Sequence, residues 1–208
     1  MISKVIKISI LLFPLFFYSC AVSYKPIKLC SNYQNRTEID NAILIKYDTS
    51  NIFLASKNFR IARKSMRQGF QILPMYIYNN KLDTIIILNE NTEVFCNYES
   101  AQIVDKSEYY KRIKQKVGYH GLETFFGLSM TYLLKASILE WTNPYNFLIV
   151  LGVYNIYKAS KANKQLLKEI EQYDVLNKKI APGDSLNGFI CLRAATSSNL
   201  MFRIKKIK

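Results

Sequence analysis

A single histidine, His120, is all this sequence holds. A metal centre built from several imidazoles is therefore excluded. His120 stands between Gly118 and Gly121, at the entrance to an apolar stretch, where it reads as a surface or capping residue. The four cysteines, Cys20, Cys30, Cys96 and Cys191, form no Cys-x-x-Cys pair. Neither a zinc knuckle nor a thioredoxin-like redox site is indicated. Gly-x-Ser-x-Gly and Ser-x-x-Lys are both absent, which removes two common serine-nucleophile signatures. The seven glycines form no phosphate-cradling loop. Acid is scarce as well: 15 Asp and Glu against 29 Lys and Arg leave a net charge of +14. Asp83, Asp105 and Asp184 fall at strand ends or turns, where Asp is ordinary turn chemistry. No catalytic, cofactor-binding or metal-ligating residue is assigned, and the expectation is a non-enzymatic protein. Two carboxylates brought together only by the fold, as in a glycosidase, stay open. The alternative reading is accordingly an envelope hydrolase acting on glycan or peptide.

The N-terminus lacks a run long enough to cross a bilayer. Lys4 and Lys7 are followed by an apolar segment, Ile8 to Phe17, of about ten residues, against the roughly twenty a spanning helix needs. Basic start, short apolar run and small residue are the layout of a secretory signal peptide. Phe17-Tyr18-Ser19-Cys20 resembles the lipobox of bacterial lipoproteins, with Phe17 in place of the usual Leu. The resemblance implies cleavage before Cys20, diacylglycerol on its sulfur and acylation of the new amino group. Several acyl chains hold a membrane firmly where one holds only marginally. The expected organisation is a signal peptide at 1–19 and a lipidated tether at 20–41, in the cell envelope, at the outer membrane of a Gram-negative bacterium. Membrane lipid is then a partner through acylated Cys20. The basic balance points to anionic lipid or an envelope protein as a further partner, and no nucleic-acid-binding motif occurs. With Cys20 lipidated, three cysteines remain, so at least one is free or pairs with another chain. Cys96 and Cys191 lie in strand-like apolar runs, as buried small hydrophobes or as a bonded pair.

Half the residues are apolar, enough for a real core in a chain of this length. Short strand signals recur at Ala42–Tyr47, Asn58–Arg63, Phe70–Tyr78, Asp83–Leu88, Glu93–Tyr98 and Ala101–Asp105. Asn79-Asn80-Lys81 is turn material and predicts a β-hairpin joining the third and fourth. Ser107 is a cap for a short basic helix through Val117, with Gly118 and Gly121 at its end. Leu122–Leu139 is apolar apart from Glu123 and Lys135. Asn143-Pro144 then starts a second helix, apolar from Tyr145 to Tyr157 and amphipathic beyond. After the turn Ile180–Ser185, strands resume at Leu186–Leu192 and Asn199–Ile204. The predicted fold class is mainly β with an α insertion: residues 42–206 as an antiparallel β-sandwich, interrupted at 107–178 by a long apolar helical hairpin.

Two pieces carry a resemblance. Phe70-Gln71-Ile72-Leu73-Pro74-Met75-Tyr76-Ile77-Tyr78-Asn79-Asn80 and Ile180-Ala181-Pro182-Gly183-Asp184-Ser185-Leu186-Asn187-Gly188-Phe189-Ile190 are similar to immunoglobulin-like β-sandwich domains of uncharacterised bacterial envelope lipoproteins. Those domains also carry an apolar helical insertion. The resemblance implies a fold and no activity.

The hairpin has two readings, a second core packed on the sheet or a partner subunit, and a membrane-contacting element. Eighteen residues of helix reach about 27 Å, and Tyr145–Tyr157 about 20 Å. Tyr132, Trp141, Tyr145, Tyr154 and Tyr157 are aromatics of the kind found at membrane interfaces. Lys158, Lys161, Lys164 and Lys168 share one helix face and would meet anionic headgroups, at about 1 kcal/mol each. The expected function is a lipid-anchored surface whose hairpin contacts membrane or a partner protein. An accessory lipoprotein of a secretion or assembly complex is a further alternative.

Overall fold

The computed structural model describes residues 21–29, 32–89, 92–96, 99–133, 144–193 and 200–204. Cys20, Cys30, Trp141 and the side chain of Cys96 lie outside the described part. The chain divides into a helical unit, comprising residues up to Tyr24 and Gln115–Gln165, and a sheet unit, comprising Lys25–Lys114 and residues from Leu166 onward.

In the sheet unit, seven strands form one antiparallel sheet. β1 (Asn35–Ile39), β2 (Ile43–Tyr47), β3 (Phe70–Asn79), β5 (Thr92–Cys96), β6 (Glu99–Ile103), β8 (Ser185–Arg193) and β9 (Leu200–Ile204) lie in the order β1-β2-β3-β8-β6-β5-β9. β4 (Ile85–Ile86) and β7 (Lys179–Ile180) make a separate two-stranded ribbon. The central ladder joins β3 to β8, from Phe70↔Arg193 to Tyr78↔Ser185. Strand segments on either side of the helical region thus share one sheet. The β1–β2 hairpin closes through Asp40 and Asn41, both at positive φ, a conformation that Asp and Asn tolerate better than most residues. Pro74 sits in a central strand, where a missing N–H is normally costly. β2 pairing ends at Tyr47↔Met75, one residue earlier, and Pro74 needs only to accept the Asp48 N–H at 3.1 Å.

The sheet curls into a half-barrel. Alternation puts Ile43, Ile45, Leu73, Met75, Ile77, Val94, Ile190 and Leu192 into one core, which Ile85, Ile87, Val175 and Ile180 of the ribbon region complete. Two facing sheets are not shown, and helix exceeds strand, about 44% against 27%. Of the expected fold, the antiparallel sheet with accompanying helices is present, as one curled sheet. Residues 107–178, expected as one insertion, divide: α3 (Lys106–Ile113) and the last turns of α5 (Pro144–Tyr173) belong to the sheet unit.

Five local expectations change. Residues 58–63 are not a strand but the start of an amphipathic helix, α2 (Phe59–Arg67), which follows the short α1 (Ile52–Ala55). Ile61, Ala62 and Ser65 are its buried face, a helical rather than a twofold spacing. Phe70–Tyr78 and Asp83–Leu88 do not pair. Both edges of β3 are taken by β2 and β8, and β4 pairs with β7 instead. Asn79 redirects the chain there, its side-chain amide donating to the carbonyls of Asp83 at 2.8 Å and Ile180 at 3.0 Å. The cap of α3 is Asp105, whose carboxylate accepts the Ser107 N–H at 2.7 Å. Ser107 is therefore inside the helix. Gly118 and Gly121 do not end that helix but fall in the first turns of α4 (Val117–Leu133). The stretch expected as a tether carries β1 and buries Ala21, Tyr24 and Ile27.

Gly188 is where α5 meets the sheet. A Cβ on it would strike the Tyr173 carbonyl and come within 2.7 Å of Val175 Cγ1. The close backbone approach that glycine permits is thus used, next to a parallel bridge between Asp174 and Phe189.

Candidate functional site in the helical hairpin

Within the helical unit, α4 packs antiparallel on the first half of α5. The contacts run in opposite directions along the two helices: Gly127 against Tyr145 and Ile149, Thr124 against Gly152, Glu123 against Asn155. The approach is close because the touching residues are small. A Cβ at Gly127 would lie 2.8 Å from Ile149 Cγ1, and one at Gly152 would lie 2.7 Å from the Thr124 backbone nitrogen. Small residues at the crossing are the usual device where helices pack without a water-driven core.

The buried face of this hairpin carries several polar side chains. His120, Glu123, Thr131 and Asn155 are each at most 4% exposed. Asn155 Nδ2 donates to Glu123 Oε2 at 3.1 Å, and Asn155 Oδ1 accepts the Ala21 N–H at 3.2 Å. His120 Nδ1 faces Glu123 Oε1 at 3.7 Å, and among the described residues neither atom has a hydrogen-bond partner. His120, expected as a surface or capping residue, is buried within α4 instead, because it occupies the contact face of that helix with Glu123 and Gly127. At the base, the Asn163 side chain clasps the Gln115 backbone, its Oδ1 accepting the Gln115 N–H at 2.8 Å and its Nδ2 donating to the Gln115 carbonyl at 2.9 Å. Gln115 also holds Val22 by a reciprocal pair at 3.1 and 2.7 Å.

The outward faces are the reverse. On α4, Tyr119, Leu122, Phe125, Leu128, Tyr132 and Leu133 are exposed, Phe125 at 68% and Tyr132 at 84%. On α5, Phe147, Val150, Val153, Tyr154 and Tyr157 are exposed, Val150 at 67%. His120 and Glu123 are the only His, Asp, Glu, Lys or Arg residues between Val117 and Leu133, and both face inward; Pro144–Tyr157 has none. Charge begins where the apolar faces end. Lys116 places its ammonium 5.4 Å from the centre of the Tyr119 ring, and Lys158 lies 5.6 Å from that of Tyr154.

No protein-family model, curated protein or solved structure matches the chain.

The residues expected to contact membrane or partner are placed as follows. Tyr132, Tyr154 and Tyr157 are exposed and Tyr145 is half-buried at the start of α5. Lys158 is half-buried against Tyr154, while Lys161, Lys164 and Lys168 are exposed. Trp141 and Cys20 are outside the described residues. Sequence reasoning missed the inward cluster of His120, Glu123 and Asn155. Its signal was present: polar residues in otherwise apolar helices, with Gly127 and Gly152 close by.

Other sites hold less chemistry. Cys191 is a free, buried thiol, and burial pushes its pKa far up, so it is a poor nucleophile. Burial also raises the Asp174 carboxyl, opposed by the Leu176 N–H it accepts and by the Lys106 ammonium at 3.6 Å. An open groove of about 500 Å³ lies beside β5 and β6, and Glu93 is the one ionisable side chain among the described residues that line it. Among the described residues, no three His, Cys, Asp or Glu side chains are grouped to hold a metal ion.

Proposed function

We propose that this chain is a lipid-anchored protein of the cell envelope, tethered through acylated Cys20 at the outer membrane, that acts without catalysis by presenting its helical hairpin to a membrane or a partner protein. The observation that carries this reading is the inverted hairpin, with Glu123, His120 and Asn155 inside and, over the described residues 117–133 and 144–157, an uncharged apolar surface outside. A hairpin meant to face water would be arranged the other way. Exposed apolar area of this extent marks an interaction surface. The anchor fits the same picture, because the residue after Cys20 is fixed to the hairpin by the Ala21–Asn155 hydrogen bond.

The anchor is tested by metabolic labelling with an alkyne fatty acid. The wild-type chain should take the label and sediment with membranes, and Cys20→Ala should lose the label. Equal labelling of both would sink the anchored reading.

A further inference from the structure

We infer that what covers the hairpin is the apolar layer of the very bilayer that holds the Cys20 acyl chains. The inference rests on the anchored reading above and narrows it from membrane or protein to lipid.

Three observations lead there. First, the exposed faces look in different directions. On α5 the buried positions Leu148, Gly152, Asn155 and Ala159 follow one stripe, and Phe147, Val150, Val153, Tyr154 and Tyr157 fall on the opposite side of the helix. On α4, His120, Glu123, Gly127 and Met130 form the inner stripe, and Leu122, Phe125, Leu128 and Tyr132 lie across from it. Each helix therefore turns its apolar face away from the other. A protein partner with one flat surface would cover one face and leave the other in water. A fluid that surrounds the hairpin covers both.

Second, the side chains are graded along the hairpin as a membrane interface is. Tyr119, Tyr154 and Tyr157 lie toward the base, Tyr132 and Tyr145 near the other end, and the exposed side chains between them are mostly aliphatic or phenylalanine. Tyr119 and Tyr132 are about 20 Å apart along α4. Tyrosines at headgroup level flanking an uncharged band match the aromatic belts of membrane proteins. Lys116, Lys158, Lys161 and Lys164 continue the series on the charged side of the base tyrosines, where anionic headgroups would meet them. The uncharged band is shorter than the roughly 30 Å of a hydrocarbon core, and no described helix is long and apolar enough to cross a membrane. The described part of the hairpin thus enters the layer without crossing it, as monotopic elements do.

Third, the anchor is placed for it. Val22 is held by Gln115 at the base and Ala21 by Asn155 further along the hairpin. Cys20, the residue expected to carry the acyl chains, directly precedes Ala21, which that second clasp holds. The Asn155 amide that donates to Glu123 Oε2 and accepts the Ala21 N–H supplies partners of the kind buried polar groups need in lipid, where water is not available to them.

The test uses the full chain in its own membranes. Cells are fed a diazirine fatty acid, irradiated, and the protein is digested and mapped by mass spectrometry. Lipid crosslinks should concentrate on the peptides holding Leu122 to Phe125 and Phe147 to Val153. The exposed Phe59 and Leu82 of the sheet unit should carry none. Leu122→Asn with Phe125→Asn and Val150→Asn should lose the hairpin crosslinks and keep acylation at Cys20. An acylated Cys20 with no lipid on the hairpin, or with hairpin crosslinks only to protein, overturns the inference and leaves the anchor standing. Hairpin crosslinks on a chain unacylated at Cys20 overturn the shared-bilayer inference and the anchored reading, and leave lipid contact by the hairpin alone.

Discussion

The sheet unit buries Ile43, Leu73, Ile77 and Leu192 and exposes Lys57, Lys111 and Arg112; the hairpin buries Glu123, His120 and Asn155 and exposes Phe125, Val150 and Tyr132. The same chain thus applies the solvent rule in one direction in one unit and in reverse in the other. In water, apolar burial contributes about 25 cal/mol per Å², and the sheet unit is built on that term. The hairpin leaves large side chains out and closes on glycines, threonine and a hydrogen-bonded amide. Its helices are held by close contact and polar bonds, the terms that remain when the surroundings are themselves apolar.

Gly188→Val should have the largest effect, because the added carbons meet the Tyr173 carbonyl and Val175, which are parts of the fold and not flexible ends. Overpacking against backbone should cost about 4 kcal/mol or more and abolish cooperative thermal unfolding of the sheet unit. Next in size is a matched pair that sets the two units against each other. Leu73→Ala should lower stability by about 3 kcal/mol through cavity formation. Phe125→Ala, in detergent-free water, should change it by less than about 0.5 kcal/mol, since that side chain already faces outward. Chemical denaturation of both variants reads the difference, and equal losses would show that Phe125 is core.

Asn155→Leu probes the inner face. It removes the partner of Glu123 Oε2 and of the Ala21 N–H, at a cost of about 2 kcal/mol for buried polar groups left unpaired. Hydrogen exchange should quicken at Ala21 and along α4 and stay unchanged in β3 and β8.

How much of this was legible beforehand depended on whether the signal was local. β2, β8 and the start of α5 at Pro144 followed from alternation and from a helix-starting Asn-Pro pair. Gly188 was readable as a close approach because a glycine in a strand has few other uses. Pairing was not legible. Asn79-Asn80-Lys81 turns the chain, but which strand lies beside β3 depends on β8, more than a hundred residues away in the sequence. The Phe59-Arg60-Ile61 alternation is too short to separate strand from helix, and only the position of Ser65 shows the helical face. In the hairpin, composition marked the apolar run and its tyrosines. The inward turn of His120 and Glu123 needed α5, which supplies Asn155 and Gly152 across the contact.

A smaller effect concerns pH within the sheet unit. Burial raises the Asp174 carboxyl above its ordinary range, with Lys106 and the Leu176 N–H acting against it. The folded state then binds the proton more readily than the unfolded chain. The contribution of Asp174 to stability is greatest below its unfolded pKa, about 3.9, and declines as pH rises through the folded value. Asp105 has the opposite sign. Its hydrogen bonds with Ser107 lower its pKa, so its contribution is present above that unfolded value and is lost as pH falls. In Asp174→Asn the Leu176 cap can persist without the ionisation. Its stability minus that of the wild type should grow as pH rises from 4, and a flat difference would count against a raised Asp174.

The most direct measurement places a reporter on the hairpin's outer face. Trp141 is the chain's one tryptophan, so Phe125→Trp in a Trp141→Phe background gives a single emitter at a position 68% exposed. The acylated chain is reconstituted into vesicles whose lipids carry bromine along their acyl chains. The account predicts a blue-shifted emission at position 125, quenched by the brominated chains, and an unquenched, water-like emission for the matching Phe59→Trp reporter in the sheet unit. A water-like, unquenched emission at position 125 in every lipid composition would contradict it.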